Sequence, residues 1–451
     1  MRNLIITMLL TILGFSSFGQ KYNMNFKVSD KTKVESIRKK IKNSSIEIKQ
    51  CYPNAKTKEL QLYYCIVGQN DKSSIAKILN EEKISYIKDE EECYALTAFT
   101  NDKWLVNGWC NNYALEMVDA ENAWKISKGR PDIRIGIADS DFETTHEDLK
   151  NQIVSVKGPV SAKYWHGTSV AGVAAAETNN GKGVAGIGYK SKLVCQRINH
   201  YIINDRCYSD SGNIRESVWN LYQTGVPIIN VSWSSTGLNK TAAEEITKYG
   251  TTIVVSAGNN PCDQNHFEIA DVPGVIVVSS VNSDNMHGPT GHAHNEHVDL
   301  CAPGINVSST KEGDEPYGGV WGTSFAAPIV SGIIALMLDV NPNLEPAKIE
   351  LILKETADPV ADAANFPNGV GAGRVNAYKA VKAAGTRTYT NTTFGNRNLS
   401  AGYGFNLKNV KIGANSNVKL TARCEVNIEG TFEVPLGSEF TISIDKNAQT
   451  N

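Results

Sequence analysis

The sequence has little charge of one sign, few long apolar runs and no cysteine pair at metal-binding spacing, and each shortage excludes a class of function. Its 451 residues hold 45 basic and 47 acidic side chains. With no basic run and no interleaving of aromatic and basic residues, nothing marks a nucleic-acid or anionic-membrane partner. Beyond Phe15 no apolar stretch is long enough to cross a bilayer, so no stable membrane span is expected, and Ile329 to Val340 suits a buried helix better. Nine cysteines are too sparse for a disulfide scaffold and form no CxxC motif. What remains is a chain long enough for two or three domains with one large core.

The first apolar stretch is short and flanked in a telling way. Arg2 precedes Leu4 to Phe15, and the small residues Ser16, Ser17 and Gly19 follow. This pattern predicts a secretory signal peptide over residues 1–20, cut near Gly19 or Gln20, with an uncleaved anchor as the alternative. A secreted or cell-surface location follows, and with it disulfides among the nine cysteines, the odd total leaving at least one thiol unpaired. Residues 21–104 form a small α+β region. Lysine-rich, weakly periodic sequence runs from 27 to 60; strands are expected at Leu60–Val67, Ile84–Ile87 and Tyr94–Phe99, and a helix at Ser73–Glu82. Alone it is any compact module; its place after a signal peptide suggests a propeptide.

Three short stretches carry chemistry. Gly322-Thr323-Ser324-Phe325-Ala326-Ala327-Pro328 delivers a serine to the start of an apolar helix, where unpaired backbone N–H groups stabilise a developing oxyanion. Taken alone, Ser324 is a nucleophile or merely a helix cap. Ile133 to Ala138 reads as a buried strand that stops on Asp139, which either orients a histidine or caps a turn. In Trp165-His166-Gly167-Thr168-Ser169-Val170-Ala171-Gly172, small residues following the histidine let its helix pack closely on a neighbour. Asp139, His166 and Ser324 follow one of the known chain orders of a Ser-His-Asp triad, and no GxSxG elbow surrounds Ser324 to suggest the α/β-hydrolase version.

These motifs, with Gly183-Val184-Ala185-Gly186-Ile187-Gly188, Ser256-Ala257-Gly258-Asn259 and Cys301-Ala302-Pro303-Gly304 between them, resemble the subtilisin-like serine proteases, the subtilases, over residues 105–384. The resemblance implies a three-layer α/β domain with a parallel sheet, preceded by the α+β propeptide and followed by a small all-β module. It implies a secreted serine endopeptidase acting on protein or peptide substrates, made as a zymogen that processes itself, with its own propeptide as intramolecular inhibitor. Asp139 would orient His166, His166 would take the proton of Ser324, and the Asn259 side chain would join the Ser324 N–H in the oxyanion hole. Substrate would add as a strand along Ser232, Trp233 and Ser234, facing Ser256, Ala257 and Gly258, with Trp233 either lining an apolar pocket or belonging to the core. A structural Ca²⁺ is implied at Asp148 and Asn180, completed by backbone oxygens of Thr178, Lys182 and Val184; the alternative is an ordinary Asn-Asn-Gly turn.

The sequence also departs from the family pattern. A glycine is usual soon after the catalytic acid, whereas here Asp141 stands two residues on; a second carboxylate so near shifts the triad's titration if it points inward and is harmless if it points to solvent. Residues 260–271 are shorter than expected for a primary specificity pocket. His287, His292, His294 and His297 crowd one polar loop, which reads as a zinc or copper site or as a variable surface loop. Thr386 to Asn396 reads as a linker, and the rest of residues 385–451 as short alternating β-runs separated by Gly, Asn and Pro-Leu-Gly turns, resembling terminal modules of secreted bacterial proteins used for sorting or surface retention. A catalytically inactive subtilase-like binding or adhesion protein is the alternative function.

Overall fold

The computed structural model describes residues 21–27, 32–41, 47–50, 63–69, 77–79, 86–88, 100–102, 113–160, 164–203 and 206–451. The signal stretch and the strand expected at Tyr94–Phe99 lie outside the described residues. The chain divides into two compact units, Met1–Thr97 and Ala98–Asn451.

The first unit is an antiparallel sheet with a helix. Strands β1 (Lys21–Lys27), β2 (Glu47–Gln50), β3 (Tyr63–Gln69) and β4 (Tyr86–Lys88) take the order β2-β3-β1-β4. Helix α1 (Thr32–Lys40) lies in the lysine-rich stretch and buries Val34 and Ile37, one turn apart, while its charged residues face outward. Of the helix expected at Ser73–Glu82, residues 77–79 are described and helical.

The second unit begins with α2 (Tyr113–Met117) and α3 (Ala120–Ile126) and continues through β5 (Arg134–Asp139), β6 (Ile153–Lys157), α4 (His166–Ala175), β7 (Lys192–Arg197), the hairpin β8 (Tyr201–Ile203) and β9 (Arg206–Tyr208), α5 (Ser211–Gln223), β10 (Ile228–Val231), α6 (Lys240–Lys248), β11 (Thr252–Ser256), β12 (Val275–Val281) and β13 (Leu300–Pro303). Seven of these strands form one parallel sheet, β13-β12-β11-β10-β5-β7-β6. The strands read as continuous Val/Ile runs rather than alternating ones because helices cover both faces. After the hairpin β14 (Val307–Thr310) and β15 (Tyr317–Val320) comes α7 (Thr323–Val340), then α8 (Pro346–Glu355) and α9 (Ala377–Gly385). On one face of the sheet α4, α7 and α9 share a core; on the other α5 and α6 bury Ile214, Val218, Leu221, Ala243 and Ile246.

All 18 residues of α7 are buried, so its membrane-like hydropathy belongs to the core of the fold, each large side chain contributing roughly 1.5–3 kcal/mol through burial. Its approach to α4 depends on Gly332: a Cβ there would sit 2.1 Å from Ile187 Cγ2 and 2.9 Å from the Ala174 carbonyl oxygen. That close packing fixes the start of the serine helix relative to the start of the histidine helix.

The stretch Thr386–Asn396 corrects the linker reading. It contains β16 (Thr386–Thr390) and β17 (Thr393–Phe394), which pair in parallel with β19 (Gly404–Ile412). With β18 (Arg397–Ala401), β20 (Asn417–Ala422), β21 (Glu425–Glu433) and β22 (Glu439–Ile444) they stack as parallel rungs, β16-β19-β21 on one side and β18-β20-β22 on the other. The module is therefore a short β-solenoid, with Phe394, Phe405, Leu407, Val418 and Leu420 packed between its two sheets. It is docked, not tethered. Arg423 reaches under α7 to Asp339 (3.1 Å) and the Ile126 carbonyl (2.9 Å), and the Thr450 N–H donates to the Val340 carbonyl.

The expected disulfides are not formed among the described thiols. Cys195, Cys207, Cys262, Cys301 and Cys424 are all free; Cys195 and Cys301 lie buried on core strands, out of reach of oxidants.

Candidate active site

The C-terminal ends of β5, β10 and β11 and the first turns of α4 and α7 converge on one site. Asp139 ends β5 with its carboxylate wholly buried. Its Oδ1 accepts from the Ser140 N–H at 2.7 Å and from His166 Nδ1 at 2.8 Å, whereas Oδ2 is buried with no partner. A carboxylate held this way fixes the imidazole's orientation and leaves Nε2 turned outward as a base. His166 opens α4, and its ring lies against Phe325, centroids 5.3 Å apart.

Ser324 is the second residue of α7. Gly322, just before the helix, has φ 130°, a conformation that side chains rarely adopt and that turns the chain sharply into the serine. Ser324 Oγ donates to the Ser232 carbonyl at 3.3 Å, not to His166, so a rotation about χ1 separates this arrangement from one aligned for proton transfer; such bonds commonly tighten only with substrate bound. Ser232 Oγ returns a bond to the Ser324 carbonyl (2.7 Å) and is itself held by Asn230 Nδ2 (2.9 Å).

Asn259 is oriented by a residue the sequence did not single out. The Thr323 N–H (2.9 Å) and hydroxyl (3.1 Å) both point at Asn259 Oδ1, which assigns Nδ2 as the end left to donate into the site. The Gly258 N–H in turn donates to Thr323 Oγ1 at 3.1 Å. Asp141 does not intrude. Its Oδ1 takes Arg197 Nε at 2.6 Å and the Phe142 N–H at 2.8 Å, and Arg197 reaches it because the β5–β7 register sets Asp139 beside Arg197.

The residues expected to take substrate flank this centre. Ser232, Trp233 and Ser234 follow β10; Ser256 ends β11, with Ala257 and Gly258 beyond it. Trp233 packs on the core beneath α5 and α6 with its indole N–H buried and unpartnered. His266, in the short segment 260–271, ties the two walls together by donating Nε2–H to the Trp233 carbonyl at 2.9 Å, and burial pulls its pKa down to about 4. The exposed Trp165 and Trp321 stand next in chain to His166 and Gly322.

The histidine loop is a buried element rather than a variable surface loop. His287 and His292 are almost wholly enclosed: His287 Nδ1 donates to the Ser280 carbonyl at 2.9 Å, and His292 bonds the Ser280 hydroxyl. His287 and His294 close on Phe366, while His297 lies 3.9 Å from Asp271. Ala293 and His294 pair with Gly258 and Pro261, so the loop braces the segment that carries Asn259. Among the described residues no cluster of three or more metal-ligating side chains forms.

At the calcium positions, Asp148 is wholly buried and accepts from Asn180 Nδ2 and the Val184 N–H, each at 2.9 Å; the Lys182 N–H donates to Asn180 Oδ1, and Thr178 Oγ1 bonds the Ala176 and Gly186 carbonyls. A second buried carboxylate, Asp102, accepts from the Asn179 and Asn180 N–H groups. Burial pushes both pKa values up, and the nearby Asp102 charge adds to the rise for Asp148. Among the described residues no Lys or Arg ion-pairs with either. Two enclosed carboxylates without a counter-charge fit a hard divalent cation. Asp102 had no local signal, since it stands outside any periodic element.

The subtilase family matches this chain over residues 130–404. An extracellular protease of Xanthomonas campestris pv. campestris is 34% identical over 247 residues, covering 50% of this chain and 41% of that protein. A thermophilic serine proteinase of Bacillus sp. strain AK1 is 30% identical over 280 residues, covering 60% and 66%. The chain thus spans less than two thirds of the length of these curated relatives. Among solved structures, a protease from Pseudoalteromonas arctica PAMC 21717 superposes with TM-score 0.52 and 26% identity, covering 64% of this chain and all of that one. With the parallel sheet, the ordered Asp139, His166 and Ser324 and a match across 130–404, the chain belongs to the subtilase family.

Proposed function

We propose that the chain is a secreted serine endopeptidase that cleaves protein or peptide substrates through Asp139, His166 and Ser324. The observation that carries this is the 2.8 Å bond from His166 Nδ1 to the enclosed Asp139 carboxylate, beside a serine at the start of a buried helix. His166 Nε2 takes the Ser324 proton as Oγ bonds to the substrate carbonyl carbon. The resulting oxyanion accepts from Asn259 Nδ2 and the Ser324 N–H. On collapse the C–N bond breaks, the amine leaves with the proton from His166, and water repeats the sequence to release the acid. Substrate lies extended between Ser232–Ser234 and Ser256–Gly258. The α+β region acts as propeptide and inhibitor and is removed by the enzyme itself, through a cut between Thr97 and Asn101, where the chain passes from one compact unit to the other, so that Asp102 stays with the enzyme. Asp148, Asp102 and Asn180, with the carbonyls of Thr178, Lys182 and Val184, hold a structural Ca²⁺, whose charge offsets the two buried carboxylates.

The test compares the purified precursor with its Ser324→Ala variant. Wild type is expected to process itself and to label with a fluorophosphonate, the variant to do neither. Identical processing and equal inertness would instead favour the binding or adhesion protein, a reading to which the turn of Ser324 Oγ toward Ser232 lends some support.

A further inference from the structure

The two ends of the β-solenoid differ. At the first rung, the Ser400 N–H donates to Asn451 Oδ1 and Gly402 packs on Val340, so the chain's own residues cover the β18 side of that end. At the last rung nothing among the described residues does. β21 pairs only with β19 and β22 only with β20, leaving one edge of each strand open. The register sets Ile428 over Leu407, Phe432 over Val410, Ile442 over Leu420 and Ile444 over Ala422. These last-rung residues therefore continue the interior stack, yet Ile428, Ile442 and Ile444 are 41%, 42% and 56% exposed. After Ile444 the chain turns back, the Asp445 N–H pairing with Ala422 and Gln449 with the Asp339 carbonyl, and does not cross the open face. Repeat arrays ordinarily close their ends with a polar cap, and an open apolar edge is a template for a further strand.

Charge selects the strand. The outward positions of the second rung carry Lys408 and Lys411, and the last rung answers with Glu429 and Glu433 in register, Lys411 Nζ lying 3.0 Å from Glu433. Glu425 extends the acidic row along β21. A second copy docking edge to edge would set one acidic row against another, which destabilises a strand pair. We propose that the open edge of β21 receives an extended segment of another protein in which apolar residues alternate with Lys or Arg, adding a fourth rung. Its apolar side chains cover Ile428 and Phe432 while its cations meet Glu425, Glu429 and Glu433. The backbone bonds supply affinity and the alternation supplies specificity.

The experiment uses the full chain with Ser324→Ala, which protects the probe from cleavage and leaves this face untouched. A fluorescent peptide of alternating Lys and Val, matched to the length of β21, is titrated by anisotropy beside its Glu-Val counterpart. The Lys-Val peptide is expected to bind, to weaken with salt, and to lose at least about tenfold in affinity with Glu429→Lys and again with Ile428→Lys. Both positions are exposed, and unchanged circular dichroism shows that the variants fold. Equal binding of the Glu-Val peptide, or indifference to both substitutions, overturns the proposal. So does sedimentation as a dimer that Ile428→Lys abolishes, since the face would then belong to a second copy.

Discussion

Replacing Arg423 with methionine tests whether the solenoid is a structural part of the catalytic unit. The guanidinium is 8% exposed, and so is the Asp339 carboxylate it meets. Arg423 Nη1 bonds Asp339 Oδ2 at 3.1 Å and the Ile126 carbonyl at 2.9 Å, and Nε bonds the Ala448 carbonyl at 3.0 Å. Methionine fills much of the volume but satisfies none of these acceptors. Asp339 would keep only the Ser127 hydroxyl at 2.7 Å and Arg130 Nε at 3.8 Å. Removing one partner of a buried pair costs about 3–5 kcal/mol, most of it the penalty of the stranded charge. The lower end is expected here, because Arg130, one third exposed, can swing toward Asp339. Urea unfolding in a Ser324→Ala background, which prevents autolysis, measures the loss. Arg423→Met with Asp339→Leu should recover most of it, since an apolar pair leaves no charge unmatched. A loss under about 1 kcal/mol for the single variant, or a double variant less stable than the single, would refute the account of a buried, charge-dependent junction.

Chelation should lower the melting temperature of the wild type; Asp102→Asn should be more stable than wild type in chelator and less stable in excess Ca²⁺, and parallel melting curves in both conditions would remove the metal. Asn259→Ala should lower kcat with little change in KM, on the scale of roughly 10²–10³ known for this donor in subtilisin itself, a magnitude borrowed from that enzyme. Thr323→Val should give a smaller loss, and a kcat equal to wild type would show that Thr323 does not orient the amide. Stability should fall in acid: His266 and His292, each pulled by burial from 6.5 to about 4, stay neutral in the fold, so their contribution is complete above pH 6.5 and lost as pH drops through 4, about 3 kcal/mol each by then. Asp299, pushed up to about 6 by burial despite Lys354 at 2.8 Å, works with the opposite sign, its share lost as pH rises through 6. Urea midpoints flat between pH 7 and 4.5, or unchanged in slope by His266→Gln, would contradict this.

What could be read from the sequence is what short range decides. A β-branched run stopping on Asp139, small residues after His166 and a glycine before Ser324 each fix local geometry, and all three stand where their motifs predicted. What escaped depends on contacts between distant segments. Arg197 silences Asp141 only because strand register brings it there, and Asp102 matters only because residues 179–180 fold over it. The histidine loop misled because composition cannot distinguish imidazoles facing water from imidazoles satisfied by Ser280. The supposed linker is instructive in a different way. Its Thr and Asn residues serve as strand and left-handed turn residues, Asn391 with φ 50° and, a rung later, Asn409 with φ 53°. Alternation is the same in parallel and antiparallel strands, so the pattern alone could not reveal a solenoid. The spacing could have: Asn406 stacks on Asn427 and Asn417 on Glu439, 21 and 22 residues apart. A repeat at that interval, with Leu407 and Ile428 as well as Leu420 and Ile442 in phase, implies stacked rungs, and stacked rungs imply an end that must be capped or shared.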